Sequence, residues 1–394
     1  MGTAGAHVTV IGGGIVGLMT AYYAAPLAAS VTVLERTHVG DPGTASYALS
    51  RSVRQDYLDA HYASLAARAR GLWLDLQERA GQRLLVDCGC LNLASAAVTP
   101  DLAGSYGART FEVLAGLGLR CEALDGAQLA ARYPQFRADA GWLDVHAGYA
   151  DVAVVTQVLT SALRERGVTI LEGAGIQSVR RDGGRWQVAT AERSVTSDSV
   201  VIAAGLGTND LLELLPDCAA WFPLRPDRPI ESKYFIPPER ELARYTDPAL
   251  PVFAYLDVGI YGHPVLAGRT PGVKIGFYHP PGAELVASPI SSVADFVAHC
   301  MPALADAPVV DVAAASGVDT CEYDLVADDE FIIGPVPGAA GVYAGVGWRG
   351  TGYKFAPWAG LVLAELATRH DTSYDIGRFR PSRFGPRPVT EVAS

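Results

Sequence analysis

The chain has 394 residues, of which 49% are apolar and 19% are charged, and its formal net charge is −11. This length allows two domains with substantial cores, and the acidic balance disfavours nucleic-acid binding. No apolar run reaches the roughly 20 residues that span a bilayer, and the first residues lack the pattern of a secretory signal. We therefore expect a cytoplasmic protein with neither a membrane nor a nucleic-acid partner.

The six cysteines give little reason to expect disulfides or a metal. They are scattered through a long sequence without a secretory signal, which argues against a disulfide framework. Cys88 and Cys90 form a C-x-C pair, but no second pair of Cys or His lies at zinc spacing from them. We predict no metal site.

The strongest local signal is the N-terminal segment HVTVIGGGIVGLMTAYYAA. An apolar, β-branched run over His7–Ile11 predicts a strand, and the residues from Ile15 onward predict a helix. Gly12, Gly14 and Gly17 have the G-x-G-x-x-G spacing. In such a unit the first glycine permits a tight turn, the second lets backbone amides approach a pyrophosphate, and the third lets the helix pack on the strand. The segment therefore predicts dinucleotide binding, with the positive end of the helix dipole at the phosphates.

The next segment, SVTVLER, predicts a second strand that ends at Glu35, where a carboxylate can accept hydrogen bonds from a ribose. This pattern leaves NAD and FAD open, and two later segments favour FAD. A strand over Ser199–Ala204 leads into Gly205 and a helix, and GVYAGVGWRGTGYKFAPWAGLVLAELA repeats the strand, Gly-rich loop and helix near the C-terminus. A late return to the cofactor is typical of flavoproteins of the glutathione-reductase type, whose final helix N-terminus stabilises negative charge on the reduced flavin.

The sequence between these cofactor-type segments has a different character. From about Arg225 to Val318, prolines and short β-branched runs predict antiparallel strands, and about Val86 to Tyr149 is mixed. The predicted fold class is α/β with an α+β lobe: an FAD-binding Rossmann-type βαβ domain of the glutathione-reductase type with an inserted antiparallel β-rich substrate domain. The FAD-binding domain is predicted over 1–85, 150–220 and 319–394, and the substrate domain over 86–149 and 221–318.

Four motifs carry a family resemblance over nearly the whole chain. They are GGGIVG, SRSVRQDY (50–57), GVKIGFYH (272–279), and CEYDLVADDEFIIG followed by GTGYKFAP. With these motifs the chain resembles the D-amino-acid-oxidase superfamily, and within it the monomeric sarcosine oxidase and N-methyltryptophan oxidase branch of covalent flavin amine oxidases. Biosynthetic imino-acid oxidases are a related comparison.

The resemblance implies a role for several individual residues. The family cysteine at the position of Cys321 is bonded to the 8α carbon of the flavin, which implies covalent FAD; a buried structural cysteine is the alternative. Arg54 matches an arginine that binds the substrate carboxylate, and Lys354 matches a lysine that assists it. Lys274 matches the lysine that activates oxygen near flavin N5, and Arg51 is expected beside the flavin or its phosphates. For Arg54, Lys274 and Lys354 the alternative is a solvent-facing surface position.

The pocket implied by the resemblance departs from the family pattern on its substrate side. Tyr261, Tyr323 and His279 match pocket-lining positions, but the loop after Tyr261 is longer and includes YGHPV. Trp348 and Arg349 are inserted near the expected pocket. They suggest a larger or planar ligand, with Arg349 as a third contact to it, although a structural Trp348 is an equal alternative.

Two sets of candidate site residues result. The catalytic candidates are Lys274, Arg54, Lys354, Tyr261 and His279. The cofactor-binding candidates are Gly12, Gly14, Gly17, Glu35, Arg36, Ser50, Arg51, Ile176, Gly205, Cys321, Tyr323, Gly350, Gly352 and Lys354.

The resemblance implies an FAD-dependent oxidase of an amino acid, an imine or an N-substituted amino acid. A hydride would pass from the substrate to flavin N5, and reoxidation by O2 would give hydrogen peroxide. Three alternatives stay open: a dehydrogenase with another electron acceptor, a flavin monooxygenase, and a non-catalytic dinucleotide-binding module. A flavin monooxygenase is disfavoured because no D-G motif can be placed at the mid-chain position where such enzymes have one. A monomer that binds a small-molecule substrate and O2 is expected, with substrate identity and stereochemistry open.

Overall fold

The structure, a computed structural model, describes residues 5–226, 232–278, 285–310 and 322–385. The chain divides into two compact units, the first comprising 1–46, 156–228 and 322–394 and the second comprising 47–155 and 229–321. Most of the difference from the predicted domain boundaries lies in 47–85, which groups with the second unit. The assignment of one unit to FAD and the other to substrate stays a prediction.

The described residues form both helices and strands, and several strands follow one another without an intervening helix. The helices are α1 (Ile15–Ala24), α2 (Ala60–Ala80), α3 (Tyr106–Gly116), α4 (Gly126–Arg132), α5 (Val152–Glu165), α6 (Thr208–Glu213), α7 (Val293–Cys300) and α8 (Gly352–Arg369). The strands are β1 (His7–Ile11), β2 (Ser30–Leu34), β3 (Ser50–Val53), β4 (Leu85–Val86), β5 (Cys90–Ala94), β6 (Cys121–Asp125), β7 (Ala140–Asp144), β8 (Gly148–Asp151), β9 (Thr169–Leu171), β10 (Ile176–Asp182), β11 (Arg185–Thr190), β12 (Ser194–Ser197), β13 (Ser199–Ile202), β14 (Leu224–Pro226), β15 (Ser232–Phe235), β16 (Val252–Tyr255), β17 (Ile260–His263), β18 (Val273–Phe277), β19 (Val309–Val310), β20 (Asp324–Val326), β21 (Ile332–Pro335) and β22 (Val342–Val346).

The first unit is built around a six-stranded sheet in the order β21-β22-β13-β1-β2-β9. All neighbours in this sheet run parallel except β21, which is antiparallel to β22. The central strand β1 places Val10 opposite Val33 of β2 and Val201 of β13, and all three side chains are buried. Such near-continuous apolar strands are expected where helices or other layers cover both faces of a parallel sheet.

Helices α1 and α8 approach each other closely in this unit. A Cβ atom added to Gly360 of α8 would lie 2.5 Å from the Cβ of Met19 in α1, so only glycine allows this contact. The three-stranded antiparallel sheet β10-β11-β12 and the pair β14-β20 complete the unit. Helices from the N-terminal and C-terminal parts of the unit are therefore packed side by side.

The second unit is built around an eight-stranded sheet in the order β19-β15-β18-β17-β16-β5-β7-β6, with a smaller sheet in the order β3-β8-β4. The large sheet is antiparallel except for the parallel pair β5 and β16. One of its faces is apolar: Phe253 and Ile275 belong to a single buried cluster with residues of α7, and the rings of Phe253 and Phe296 stack at 6.0 Å. Because side chains alternate between faces, the intervening positions form the opposite face.

Candidate active site

The glycine turn of the first unit has the geometry that its spacing predicts. Gly12 has a φ of +111°, and a Cβ atom there would lie 2.3 Å from the carbonyl oxygen of Ala203. A Cβ atom at Gly17 would lie 1.9 Å from the carbonyl oxygen of Gly12. Helix α1 then begins after Gly14 without a side-chain cap, and Ile15 N donates to a Ser hydroxyl at 2.9 Å. The turn therefore depends on glycine and presents a helix N-terminus at the end of β1.

The carboxylate of Glu35 is buried at the end of β2 and is held by the main chain. Its Oε2 atom accepts a hydrogen bond from Gly13 N at 2.6 Å, and its Oε1 atom accepts one from Thr37 N at 2.9 Å. These bonds fix the acid against the glycine turn. Its predicted contact with a ribose stays a prediction, as does any cofactor role of the exposed Arg36 that follows it.

The loop between β22 and α8 is organised by the buried Asp324. Its carboxylate accepts hydrogen bonds from Gly347 N at 2.8 Å and Trp348 N at 3.1 Å. Burial raises the pKa of Asp324 to about 6. Further along the loop, a Cβ atom at Gly350 would lie 2.3 Å from the ring of Tyr323. The ring and the glycine therefore define the backbone path that leads into α8.

Lys354 lies in the first turn of α8 and is only 6% exposed. This burial excludes the solvent-facing alternative. The helix follows Thr351 without a side-chain cap. A cation beside the positive end of a helix dipole is electrostatically unfavourable by itself, whereas an anion there would be stabilised by both. The start of α8 is therefore suited to a negatively charged group.

Trp348 and Arg349 have structural contacts within the first unit. The Trp348 ring packs against that of Phe331, with centroids 5.1 Å apart. Arg349 pairs with Asp329: Nη2 lies 2.9 Å from Oδ1, and Nη1 donates to the backbone oxygen at 3.1 Å. The suggestion that Arg349 supplies a third substrate contact is not supported, because the side chain is held by an acid of its own unit.

Lys274 lies on the second face of the large sheet, opposite His263 of β17 and Tyr234 of β15. It is only 1% exposed, although its neighbours Val273 and Ile275 point into the apolar core on the other face. The solvent-facing alternative for this lysine is therefore excluded. A buried lysine is rare because an ammonium group loses its hydration.

His263 is also 1% exposed and bonds to both serines of β3. Its Nδ1 atom lies 2.8 Å from Ser50 Oγ, and its Nε2 atom lies 2.7 Å from Ser52 Oγ. Two tyrosine rings flank the imidazole: Tyr149 stacks at 6.1 Å, and Tyr261 meets it edge-on at 5.9 Å. The hydroxyl of Ser50, a cofactor candidate from the sequence, therefore has a partner within the second unit.

Arg54 is 6% exposed and forms a buried ion pair with Asp56, two residues later in the chain. Its Nη1 atom lies 2.9 Å from Asp56 Oδ1 and also donates to the Asp56 backbone oxygen at 2.8 Å. The other carboxylate oxygen of Asp56 accepts from Asn92 Nδ2 at 2.6 Å. Burial acts to lower the pKa of Arg54, but Asp56 and nearby tyrosines outweigh it and raise the pKa well above the ordinary value. The surface alternative for Arg54 is excluded.

Three tyrosines surround this ion pair. The guanidinium carbon of Arg54 lies 5.2 Å from the centroid of the Tyr57 ring and 5.9 Å from that of Tyr278. The Tyr106 hydroxyl donates to the backbone oxygen of Asp56 at 3.1 Å. Burial raises the pKa of Tyr57 and of Tyr106, so both phenols are protonated at neutral pH. Aromatic faces stabilise a cation that has lost its water.

A second buried carboxylate, Asp144, lies near this group. It accepts hydrogen bonds from Gln55 N at 2.7 Å, from Gln55 Nε2 at 3.0 Å and from His146 N at 3.2 Å. Burial and then the negative charge of Asp56 raise the pKa of Asp144 to about 7, although these bonds favour the ionised form. The polar cluster of the second unit therefore contains an acid that titrates near neutrality.

Sequence reasoning missed Asp56, His263 and Asp144 as parts of the candidate site. Asp56 lies inside the SRSVRQDY motif, two residues after Arg54, where an acid beside a buried arginine is a usable signal. His263 occupies the alternate position to Tyr261 and therefore shares its strand face. No local pattern marks Asp144, whose importance comes from burial.

Two candidates, His279 and Cys321, lie outside the described residues. Among the other cofactor candidates, Ile176 begins β10 and is half-buried, and Gly205 follows β13 with a φ of +54°. The described residues contain no group of three or more His, Cys, Asp or Glu side chains arranged to hold a metal. In the same part of the chain, no helix combines the length and apolar character needed to cross a membrane.

A family model described as FAD dependent oxidoreductase, of the DAO type, matches residues 7–366. Because this match covers most of the chain, the protein belongs to that family of FAD-dependent oxidoreductases.

The curated relatives identify the branch. The chain is 27% identical to the peroxisomal sarcosine oxidase of Homo sapiens and 30% identical to that of Mus musculus, in both cases over 95% of each chain. It is 25% identical to the N-methyl-L-tryptophan oxidase of Yersinia pestis, over 95% of this chain and 98% of that protein. The predicted family branch and the predicted class of enzyme, an FAD-dependent amine or amino-acid oxidase, are confirmed by these matches.

Solved structures confirm the predicted fold class. An amino acid oxidase essential for nikkomycin biosynthesis matches with a TM-score of 0.72 and 22% identity over 96% of this chain and 98% of that one. L-proline dehydrogenase from P. horikoshii matches with a TM-score of 0.77 and 20% identity, over 96% and 97%. Glycine oxidase from Geobacillus kaustophilus matches with a TM-score of 0.75 and 18% identity, over 97% and 100%. At these identities the likeness shows the fold.

The first unit fits the cofactor that the family uses. A Cβ atom at Gly12 or Gly17 would fill the turn beside the N-terminus of α1, and the N-cap residue Gly14 has no side chain that could occupy the space. Helix N-termini of this kind bind phosphate groups. The N-terminus of α8 is a second positive helix end, and the buried Lys354 lies in its first turn. Both would stabilise an electron-rich group. The donor set is therefore consistent with FAD.

Proposed function

We propose that the protein oxidises the carbon–nitrogen bond of a carboxylate-bearing amine, imine or N-substituted amino acid and uses O2 as its electron acceptor, giving hydrogen peroxide. FAD, when bound, supplies the acceptor for the hydride from the substrate and the donor of two electrons to oxygen. The observation that carries the proposal is the fully buried Lys274 on the polar face of the large sheet. The sarcosine and N-methyl-L-tryptophan oxidases among the relatives support a secondary amino acid as the substrate.

The residues of the first unit would hold the cofactor. The turn at Gly12, Gly14 and Gly17 would bind the diphosphate, and Glu35 would bind a ribose. The loop at Gly350 and Gly352, which leads into α8, would face the flavin. The resemblance further assigns Cys321 to a covalent bond with it.

Lys274 would assist the reduction of oxygen. Negative charge develops on O2 as it accepts electrons, and a buried site solvates that charge poorly. A fixed cation stabilises the charge without reorganisation, because the protein has already placed it there. The register of β18 holds Lys274 on the polar face, which gives the cation a fixed starting position.

Arg54 would bind the substrate carboxylate, with Asp56 fixing the orientation of its guanidinium group. Both contacts of Arg54 with Asp56 are made by Nη1. The Nε and Nη2 atoms would donate to a carboxylate in the fork geometry that arginine favours. In the absence of substrate, the negative charge of Asp56 balances the positive charge of Arg54, which reduces the cost of keeping the guanidinium buried.

The substitution Lys274→Met tests the assignment to oxygen. The protein is reduced with dithionite without air and then mixed with O2, so the test needs no known substrate. We expect flavin reoxidation to slow by about two to three powers of ten, the scale of one lost electrostatic group. Lys233→Met is the matched control, because Lys233 lies on the adjacent strand β15 at a position that faces the other way.

The outcomes of that experiment separate the possible acceptors. Peroxide formed stoichiometrically by the unsubstituted protein, and slowly by Lys274→Met, supports an oxidase. Slow reoxidation of the unsubstituted protein by O2, with fast reoxidation by an artificial acceptor, would show a dehydrogenase. Equal rates in Lys274→Met and in the unsubstituted protein would contradict the oxygen role of this lysine.

The covalent bond to Cys321 is tested by acid precipitation of the purified protein. We expect the yellow colour to remain with the denatured chain, because a thioether survives unfolding. In Cys321→Ala the colour should pass to the supernatant, and most turnover should be lost since the bond also tunes the ring. Cys218→Ala, which removes a half-buried thiol of the first unit, should behave like the unsubstituted protein. A yellow supernatant from the unsubstituted protein would rule out the covalent bond.

A further inference from the structure

The contacts of His263 form a junction between the two sheets of the second unit. We use the name His263 junction for His263, Ser50 and Ser52. The two serines are at alternate positions of β3, so their hydroxyls face the same side and meet the two nitrogens of one imidazole, at 2.8 and 2.7 Å. The imidazole itself lies on β17 of the large sheet. One side chain therefore joins β3 to the large sheet through two hydrogen bonds.

The strand held by the junction carries Arg51 and leads directly into Arg54. Arg51 lies between the two serines on β3, and its Nη2 atom donates to the Tyr47 backbone oxygen at 2.6 Å. Arg54 follows directly after the strand ends at Val53. A shift of β3 would therefore move the segment from which both guanidinium groups project.

The other side of the junction faces Lys274. His263 and Lys274 are directly opposite each other in the register of β17 and β18. Side chains at such positions share a face, with Cβ atoms about 4.5–5.5 Å apart. Tyr149 and Tyr261 flank the imidazole at 6.1 and 5.9 Å, and Tyr149 is itself paired with Ser52 across β8 and β3. The packing leaves His263 little freedom to reorient.

From this geometry we infer that His263 is a positioning residue for the reaction: it holds Lys274 and the arginine-bearing strand β3 in a fixed relation to each other. The inference rests on the proposed function, since it takes Lys274 as the group that serves O2. His263 acts through Lys274 and does not itself touch the reacting atoms. A displacement of about 1 Å at a positioned group can cost up to a hundredfold in rate, so a loosened junction has a measurable consequence.

The substitution His263→Phe tests the inference, because it keeps a planar ring and removes both hydrogen bonds. We expect flavin reoxidation to slow by about tenfold or more. If His263 acts through Lys274, the double variant with Lys274→Met should be no slower than Lys274→Met alone, since contacting residues that share one effect are not additive. His263→Gln should restore part of the rate, because a carboxamide can donate to one hydroxyl and accept from the other.

Hydrogen exchange of the segment 50–54 gives a readout that does not depend on turnover. In His263→Phe these amides should exchange faster, since β3 loses two side-chain bonds. Tyr343→Phe is the matched control: it removes a 2.7 Å bond between a tyrosine hydroxyl and the imidazole of His370 in the first unit. The control should leave both the exchange of 50–54 and the reoxidation rate unchanged.

The outcomes distinguish a failure of the inference about His263 from a failure of the proposed function. Slow reoxidation in Lys274→Met together with a normal rate in His263→Phe would overturn the inference and leave the proposed function intact. Fully additive effects in the double variant would also overturn it, because His263 would then act independently of Lys274. An unchanged reoxidation rate in Lys274→Met would contradict the oxygen role of Lys274, and with it the inference about His263. The single variant Lys274→Met gives this result without any substitution of His263.

Discussion

The glycine turn of the first unit and the polar sheet face of the second unit present functional groups in different ways. In the proposed cofactor turn the backbone would make the contacts, and glycine is required because Gly12 and Gly17 leave no room for a Cβ atom. On the sheet face side chains would make the contacts, and strand register decides which of them meet. Lys274 and His263 are 11 residues apart in the sequence and directly opposite in the sheet.

This difference explains why the two regions should respond differently to substitution. A site formed by the backbone tolerates few substitutions, since any added side chain changes the path of the chain. A side-chain site loses one interaction at a time and keeps its fold if the remaining polar groups are still satisfied.

Gly12→Val should abolish FAD binding. The substitution forces a β-branched residue to a φ of +111° and directs its Cβ atom to within 2.3 Å of the Ala203 oxygen. Backbone strain of this kind costs on the order of 1–3 kcal/mol before the clash is counted. The measurements are the flavin-to-protein absorbance ratio and the melting temperature. Stoichiometric flavin in Gly12→Val would show that the turn is not a backbone-defined site.

The control for that substitution is Gly71→Ala, in an exposed part of α2 where an added Cβ meets nothing within 4 Å. Alanine in a helix interior is favoured over glycine by roughly 0.5–1 kcal/mol, so a small stabilisation is expected. Loss of flavin in this control would mean that the binding assay reports general instability.

Arg54→Ala should weaken the binding of simple carboxylates, which we expect to act as competitive inhibitors and to perturb the flavin spectrum. Removing one partner of a buried charged contact costs about 2–5 kcal/mol, most of it here in apparent affinity. Spectral titration gives the dissociation constant. Unchanged carboxylate affinity in Arg54→Ala would move the carboxylate site away from this residue.

Two further variants separate binding from stability at this site. Arg54→Ala leaves the buried Asp56 without its cation, so adding Asp56→Asn should recover the fold without recovering carboxylate affinity. Arg269→Ala removes a 3.4 Å ion pair between the exposed Arg269 and the half-buried Asp151, and ion pairs near the surface contribute about 0–1 kcal/mol. If Arg269→Ala had an effect of similar size, net charge rather than the Arg54 site would control binding.

Asp144→Asn should flatten the pH dependence of stability. Burial and the nearby Asp56 raise the folded-state pKa of Asp144 from its ordinary value to about 7. The folded state then binds a proton more tightly than the unfolded state, so stability should fall as pH rises from about 4 to about 7. One such proton contributes a slope of at most roughly 1.4 kcal/mol per pH unit.

Denaturant unfolding between pH 4 and pH 8 measures this slope. The amide in Asp144→Asn cannot ionise, so the difference in unfolding free energy between variant and unsubstituted protein should change across that range. Asp139→Asn is a suitable control because Asp139 is an exposed acid that accepts a hydrogen bond from Ser95 Oγ at 3.0 Å. A pH-independent difference for Asp144→Asn would show that this acid does not titrate in the range.

Much of the first unit could be predicted from the sequence because its signals are local. The predicted strand over His7–Ile11 is β1, and the predicted helix from Ile15 is α1. Glycines at fixed spacing act through their own backbone, so the geometry of the turn follows from a few adjacent residues. The predicted second strand is β2, which ends at Leu34, one residue before the predicted end at Glu35. Its signal is also local, because it comes from the apolar, β-branched residues of the strand itself.

The candidate site of the second unit was harder to predict from the sequence, because it is made of side chains that are distant from one another along the chain. The resemblance identified Arg54 and Lys274 as candidates, but the sequence left solvent-facing positions open for both. Only the structure shows them at 6% and 1% exposure and gives Arg54 its Asp56 partner. The compact units also differ from the predicted domains at 47–85, since composition does not report which sheet a short strand such as β3 joins.

The amino-acid sequence by itself determined the dinucleotide-binding turn and its family, because a strand, three spaced glycines and a helix act within about 30 residues of chain. The tertiary structure alone decided that Lys274 is buried, that His263 lies opposite it, and that Asp144 titrates near neutrality. The physical reason is that burial and charge proximity depend on strand register and packing. A lysine in an alternating strand has the same local sequence signal whether its face meets water or the protein interior.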